Sequence, residues 1–130
     1  MQEMAGLVLV VEDDINLREP LEHLLRQRHF EVICADTADD AIHLVGSRRP
    51  DAAIVDLQLR QGSGRDVIVR MPSKAPVIIF SGMRSLSGEL ERLRPRTKLI
   101  EKPCSLTWLI NTLDEMIMKA QGPRPMAQEA

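Results

Sequence analysis

The chain has 130 residues, 44% of them apolar, and its 17 basic and 19 acidic side chains leave a net charge of −2. This length and apolar content suit one globular domain with a single core. The balanced charge lacks the basic footprint of a domain that binds DNA or RNA. Residues 1–6 contain no basic side chain and the next apolar run is short, which argues against a signal peptide and a membrane span.

The two cysteines give no sign of a disulfide framework or a zinc site. Cys34 and Cys104 lie far apart and neither belongs to a CxxC motif. We therefore expect two free thiols, buried or half-buried, in a protein of the reducing cytoplasm.

Short runs rich in Val, Ile and Leu alternate with segments of helical periodicity along the whole chain. The predicted strands are residues 7–11, 32–35, 52–55, 77–81 and 99–101. Continuous apolar runs of this kind are typical of parallel strands covered by helices on both faces. The pattern predicts an α/β fold in which helices cover both faces of a parallel sheet. We expect its flavodoxin-like doubly wound form, a three-layer sandwich with five parallel strands in the order 2-1-3-4-5.

Capping residues predict where the first two helices begin and end. The first helix should start near Asn16, because Asn16 and Glu19 offer a capping-box pair and Pro20 then falls near the first turn. The second should begin after Thr37, the expected N-cap, and stop at Gly46.

The later helices are bounded by prolines and a serine. We expect a short third helix over residues 65–71, ended by Pro72, and a fourth over residues 85–93, broken by Pro95. The fifth should begin at Ser105 as N-cap. This organisation predicts one domain over residues 1–120 and a flexible tail or linker stub over residues 121–130.

Polar side chains follow four of the predicted strands. Glu12 and Asp13 follow the first strand and Asp56 follows the third, whereas Ser81 and Lys102 end the fourth and fifth. In an open parallel sheet the ligand site lies beyond the carboxyl ends of the strands, where the strand order reverses. Carboxylates clustered there need a compensating ion or shifted pKa values, and Mg²⁺ suits an oxygen cluster with positions left for water and phosphate.

Four short motifs at the ends of strands one, three, four and five resemble those of the receiver domains of two-component response regulators. The resemblance spans residues 7 to about 119. It rests on Val10-Val11-Glu12-Asp13-Asp14, Asp56-Leu57-Gln58-Leu59 with Gly64, Ile79-Phe80-Ser81-Gly82, and Lys102-Pro103.

The resemblance implies that Asp56 is the phosphoacceptor. It would take a phosphoryl group from a phosphohistidine on a sensor histidine kinase or a histidine phosphotransfer protein. Asp13 would bind Mg²⁺ directly, Glu12 largely through water and Gln58 through its backbone carbonyl. The net charge of the pocket is then zero (−3 from three carboxylates, +1 from Lys102 and +2 from Mg²⁺). A phosphoryl group, which carries about two negative charges, would disturb this balance.

The resemblance also assigns a switch. Ser81, Gly82 and Leu99 would respond to the phosphoryl group and rearrange the face of helix four, strand five and helix five, where a downstream protein, an output domain or a second copy would bind. Gln58 and Met83 stand where the family tunes dephosphorylation, and we expect slow intrinsic loss of phosphate. Lys102-Pro103 resembles a cis peptide of the family.

Two positions depart from the family pattern. The usual proline four residues after the acceptor is Arg60, and the usual aromatic switch residue three before the lysine is Leu99. These departures leave open a phosphorylation-independent docking module, a pseudo-receiver.

Two other functions of this fold fit the sequence less well. A magnesium-dependent phosphatase would need a second aspartate at position 58, which is Gln. A nucleotide-binding flavodoxin relative would need a Gly-rich loop after the first strand, where acids stand instead. We therefore expect a phosphoacceptor signalling domain and not an enzyme acting on other substrates.

Overall fold

The computed structural model describes residues 5–82 and 88–121. Five parallel strands form one sheet in the order β2-β1-β3-β4-β5, which confirms the predicted flavodoxin-like architecture. The strands are β1 (Gly6–Val11), β2 (Phe30–Ala35), β3 (Ala52–Val55), β4 (Val77–Ser81) and β5 (Thr97–Glu101). The helices are α1 (Ile15–Gln27), α2 (Ala38–Arg48), α3 (Gly64–Ile68), α4 (Gly88–Leu93) and α5 (Leu106–Gln121).

Alternate residues of the central strands enter two separate cores. On one face, Leu9 and Val11 of β1 belong to a cluster with residues of α2, α3 and α4. On the other face, Val8 and Val10 belong to a cluster with residues of α1 and α5. Both faces of β1 and β3 are thus apolar because successive side chains of a strand point to opposite sides.

The start of α1 differs from the prediction. The helix begins at Ile15, and the N-cap is Asp14, whose Oδ1 accepts a hydrogen bond from the Asn16 N–H at 2.9 Å. The predicted pair of Asn16 and Glu19 is therefore wrong as a cap, and Pro20 lies in the second turn. A carboxylate immediately before a helix satisfies its free N–H groups better than a residue already inside it.

The ends of α2 and α3 also differ from the prediction. The α2 helix runs through Gly46 to Arg48, and Arg49 reverses the chain in the left-handed conformation with φ 48°. The α3 helix starts at Gly64 and ends at Ile68, three residues before the predicted end. Beyond it the chain tightens, since the Met71 N–H bonds the Ile68 carbonyl just before Pro72.

Three strands start earlier than predicted, β1 by one residue and β2 and β5 by two, whereas β3, β4 and two helix caps agree with the prediction. Thr37 caps α2 by accepting from the Asp40 N–H at 3.2 Å, and Ser105 accepts from the Trp108 N–H in the first turn of α5. Residues 83–87, which include Met83 and the predicted start of the fourth helix at residue 85, lie outside the described residues, as does the predicted tail beyond Gln121.

Both cysteines are free and half-buried, as the sequence predicts. Burial, followed by the hydrogen bond to Glu22, raises the pKa of the Cys34 thiol to about 12. Within the described ranges, no helix combines the length and the apolar character needed to cross a membrane.

Candidate functional site at the carboxyl edge of the sheet

The sheet brings the ends of β1 and β3 side by side. Val11 pairs with Val55 in register, and the Asp56 N–H continues the ladder by donating to the Val11 carbonyl at 3.0 Å. On the other side of β1, the Glu12 N–H donates to the Ala35 carbonyl at 3.1 Å. These backbone bonds hold Glu12 and Asp56 next to each other at the point where strand order reverses.

Three carboxylates meet at this edge. Oxygen atoms of Glu12, Asp13 and Asp56 all lie within 4.8 Å of one another. Glu12 is 2% exposed and Asp56 is 6% exposed, whereas Asp13 is half-buried at the rim. Buried carboxylates this close repel each other unless a cation lies among them.

Lys102 supplies part of the compensating charge. Its Nζ lies 2.8 Å from Glu12 Oε1 and 3.0 Å from Asp56 Oδ2, and it lies over the Phe80 ring at 5.3 Å from the centroid. Burial by itself disfavours the ammonium, but the hydrogen bonds to Glu12 and Asp56 outweigh it and raise the pKa of Lys102. The lysine therefore stays charged at neutral pH.

One lysine does not neutralise the cluster. Burial raises the pKa of Glu12, and the hydrogen bonds from Lys102 and from the Asp14 N–H offset this only in part. Without a further cation the ionised pocket carries three negative charges against one positive. This donor set fits a hard divalent cation such as Mg²⁺, which prefers carboxylate oxygens.

The loop after β3 completes the pocket. The Gln58 N–H donates to Asp56 Oδ1 at 3.0 Å, so both oxygens of this carboxylate accept hydrogen bonds. Gly64 packs so tightly beneath that a Cβ there would lie 2.0 Å from the Asp56 carbonyl oxygen. The loop from Leu57 to Ser63 is thus held against the end of β3, next to Asp56.

The three predicted switch residues lie at the end of β4, directly after β4 and on β5, and the structure describes all of them. Ser81 is fully buried at the end of β4, where its carbonyl accepts from the Lys102 N–H at 3.0 Å. Gly82 follows and is exposed. Leu99 is half-buried, and its N–H donates to Glu91 Oε2 of α4 at 3.1 Å. The Lys102-Pro103 peptide is cis.

Sequence reasoning missed two contacts of the pocket. The Arg60 N–H donates to Asp13 Oδ2 at 2.7 Å, and Arg18 Nη1 donates to the Glu12 carbonyl at 2.9 Å. The first bond connects the loop after β3 to the loop after β1, and the second connects α1 to the end of β1. A signal for Arg60 existed in its replacement of the usual proline, because proline has no N–H to donate.

Comparison with known proteins identifies relatives of this chain. Residues 8–114 match the family described as the response regulator receiver domain. The transcriptional regulatory protein KdpE of Mycobacterium tuberculosis is 35% identical over 89 residues, which cover 67% of this chain and 39% of that protein. The chain spans between 20% and 39% of the length of the curated relatives it matches first.

Solved receiver domains share the fold. The signal receiver domain of a LuxO repressor protein from Vibrio parahaemolyticus superposes with TM-score 0.77 at 26% identity, over 89% of this chain and 92% of that chain. The receiver domain of a sensor histidine kinase from Pseudomonas aeruginosa, with magnesium coordinated in its active-site cleft, superposes with TM-score 0.71 at 21% identity, over 86% of this chain and 97% of that chain.

Proposed function

Because the chain belongs to the response regulator receiver domain family of two-component systems, we propose that it accepts a phosphoryl group on Asp56 from a phosphohistidine of a partner protein. The partner would be a sensor histidine kinase or a histidine phosphotransfer protein. The observation that carries this proposal is the pair of bonds from Lys102 Nζ to Glu12 and Asp56, beside Asp13, at the carboxyl edge of the sheet.

The residues of the pocket divide the work of phosphoryl transfer. A carboxylate oxygen of Asp56 attacks the phosphorus, the P–N bond to the donor imidazole breaks, and the electron pair stays on that nitrogen, which takes a proton from water. Because the transferred group carries its charge on three equatorial oxygens, the pocket must supply positive groups to them. Bound at Asp13, Glu12, Asp56 and the Gln58 carbonyl, Mg²⁺ would neutralise part of that charge.

Lys102 and Ser81 would donate hydrogen bonds to the phosphoryl oxygens that the cation does not contact. Two of the three N–H donors of the ammonium point to Glu12 and Asp56, and the third remains for a phosphoryl oxygen. The Ser81 hydroxyl stands on the neighbouring strand end as a further donor. The Ser81 hydroxyl and the Gly82 N–H would move toward the phosphoryl oxygens, and this movement would rearrange the face formed by α4, β5 and α5.

Phosphorylation of the purified chain tests the proposal directly. In Mg²⁺ and acetyl phosphate, intact-mass spectrometry should show a gain of one phosphoryl group, because the pocket itself holds the groups needed for transfer. The gain should vanish in Asp56→Asn and in EDTA, and persist in the control Asp39→Asn, which alters an exposed aspartate of α2.

Two results would overturn the proposal. A mass gain that survives in Asp56→Asn would mean that another group is the acceptor. No gain in the native chain with acetyl phosphate or a phosphorylated histidine phosphotransfer domain would favour the pseudo-receiver, which Arg60 and Leu99 make the main alternative.

A further inference from the structure

Arg60 reaches the metal pocket through its main chain. Its N–H donates to Asp13 Oδ2 at 2.7 Å, linking the loop after β3 to the loop after β1 across 47 positions of sequence. The bond is short for an N–H donor, as is usual when the acceptor is an ionised carboxylate.

This bond determines how Asp13 presents its oxygens. Asp13 lies at the rim, half-buried, where a side chain without partners would sample several rotamers. With Oδ2 tied to the loop after β3, the carboxylate faces Glu12 and Asp56 within 4.8 Å. Groups that orient a ligating carboxylate in this way raise the affinity of a metal site.

The side chain of Arg60 has the opposite electrostatic effect. Its Nε lies 4.0 Å from Asp13 Oδ2, and the side chain is 84% exposed. A positive charge at that distance repels a divalent cation in the pocket, although water and salt screen the repulsion. One residue therefore acts on the cation in two directions through two separable groups.

We propose that Arg60 is a positioning residue of this pocket, whose N–H holds Asp13 ready to bind the cation while its guanidinium lowers the affinity for that cation. The inference rests on the proposed function only in assigning a Mg²⁺ site to Glu12, Asp13 and Asp56. It assigns a role to a residue that departs from the family pattern.

Titration of Mg²⁺ into the full chain by isothermal calorimetry separates the two effects. Arg60→Ala keeps the N–H and removes the charge, so Mg²⁺ should bind about twofold to fivefold more tightly at low salt, and the gain should disappear at high salt. Arg60→Pro removes both groups, so it should bind about tenfold more weakly than Arg60→Ala.

Two controls accompany these variants. Arg60→Lys keeps both the N–H and a positive charge and should restore the native affinity. Arg48→Ala makes the same change in net charge at the opposite end of the sheet, where Arg48 pairs with Glu31, and should leave Mg²⁺ binding unchanged.

A second measurement covers the case in which Arg60→Pro misfolds, which circular dichroism would reveal. In the native chain the Arg60 amide should exchange its hydrogen slowly, and in Asp13→Ala the exchange should accelerate at least about tenfold, as expected for a lost hydrogen bond. Equally fast exchange in both proteins would overturn the inference.

The outcomes distinguish this inference from the proposed function. If the native chain binds Mg²⁺ and is phosphorylated on Asp56, but folded Arg60→Pro and Arg60→Ala bind Mg²⁺ equally, only the role of Arg60 is wrong. If the native chain binds no Mg²⁺, both proposals fail together.

Discussion

At the scale of single residues, Lys102 supplies the positive charge that offsets the cost of burying Glu12 and Asp56. Its Nζ is within 3.0 Å of both Glu12 and Asp56, which are almost completely buried. Removing one partner of such a group leaves the others charged and uncompensated in a region of low dielectric. The lysine therefore contributes to stability as well as to the chemistry proposed for the site.

Lys102→Met should destabilise the metal-free protein by about 1–3 kcal/mol, because it leaves Glu12 and Asp56 without their cation. The effect should be measured as the free energy of unfolding in urea with EDTA present. Mg²⁺ should then restore more stability to the variant than it adds to the native chain. Lys119→Met, an exposed change on α5, is the control, and a Lys102→Met variant as stable as the native chain in EDTA would contradict this reasoning.

At the scale of elements, the loop after β3 is held by glycines that admit no side chain. Gly62 has φ +88°, and a Cβ there would lie 2.4 Å from the Ala38 Cβ at the start of α2. Gly64 begins α3 with its N–H bonded to the Leu57 carbonyl, directly beneath the backbone of Asp56. The position of Asp56 thus depends on a close backbone approach that only glycine allows.

Gly64→Ala should cost about 3 kcal/mol or more of stability, because the new methyl group would collide with backbone atoms that cannot yield without moving Asp56. Gly46→Ala is the matched control. Nothing lies within 4 Å of a Cβ at Gly46 in α2, so alanine should stabilise the helix by about 0.5–1 kcal/mol. Urea unfolding measures both, and a Gly64→Ala loss below about 1 kcal/mol would show that the loop can relax.

The helix ends show what sequence patterns leave undecided at this scale. The strands β3 and β4 were predicted to the residue, since runs buried on both faces stop sharply where polar side chains begin. The ends of α1, α2 and α3 were not, because a cap depends on which side chain reaches a free N–H or carbonyl. Asp14 and Asn16 both suit an N-cap by type, and only the geometry selects Asp14.

At the scale of the whole molecule, cation binding at the proposed site would be coupled to folding. The three carboxylates converge only when β1 and β3 pair, so the unfolded chain has no comparable site. A ligand that binds only the folded state stabilises it by mass action, by about 2.7 kcal/mol at a concentration of 100 times the dissociation constant.

Mg²⁺ should accordingly raise the melting temperature of the native chain relative to EDTA, whereas NaCl at equal ionic strength should not. Asp13→Asn should be the more stable protein in EDTA, because it removes one repelling charge while its amide oxygen can still accept from the Arg60 N–H. It should also lose most of the response to Mg²⁺. An Asp13→Asn variant that gains as much from Mg²⁺ as the native chain would exclude Asp13 from the cation site.

The sequence by itself determined the class of fold and predicted that Glu12, Asp13, Asp56 and Lys102 meet at one edge of the sheet. Five apolar runs, four of which lead into Glu12 and Asp13, Asp56, Ser81 or Lys102, were enough, because parallel strands deliver their carboxyl ends to one edge of a sheet. Only the tertiary structure decided which of these groups share a counter-charge and which contacts orient them. Lys102 bridges Glu12 and Asp56, and the Arg60 N–H binds Asp13. Both contacts depend on the paths of loops, and a sequence does not show which backbone N–H groups of a loop will face a given carboxylate.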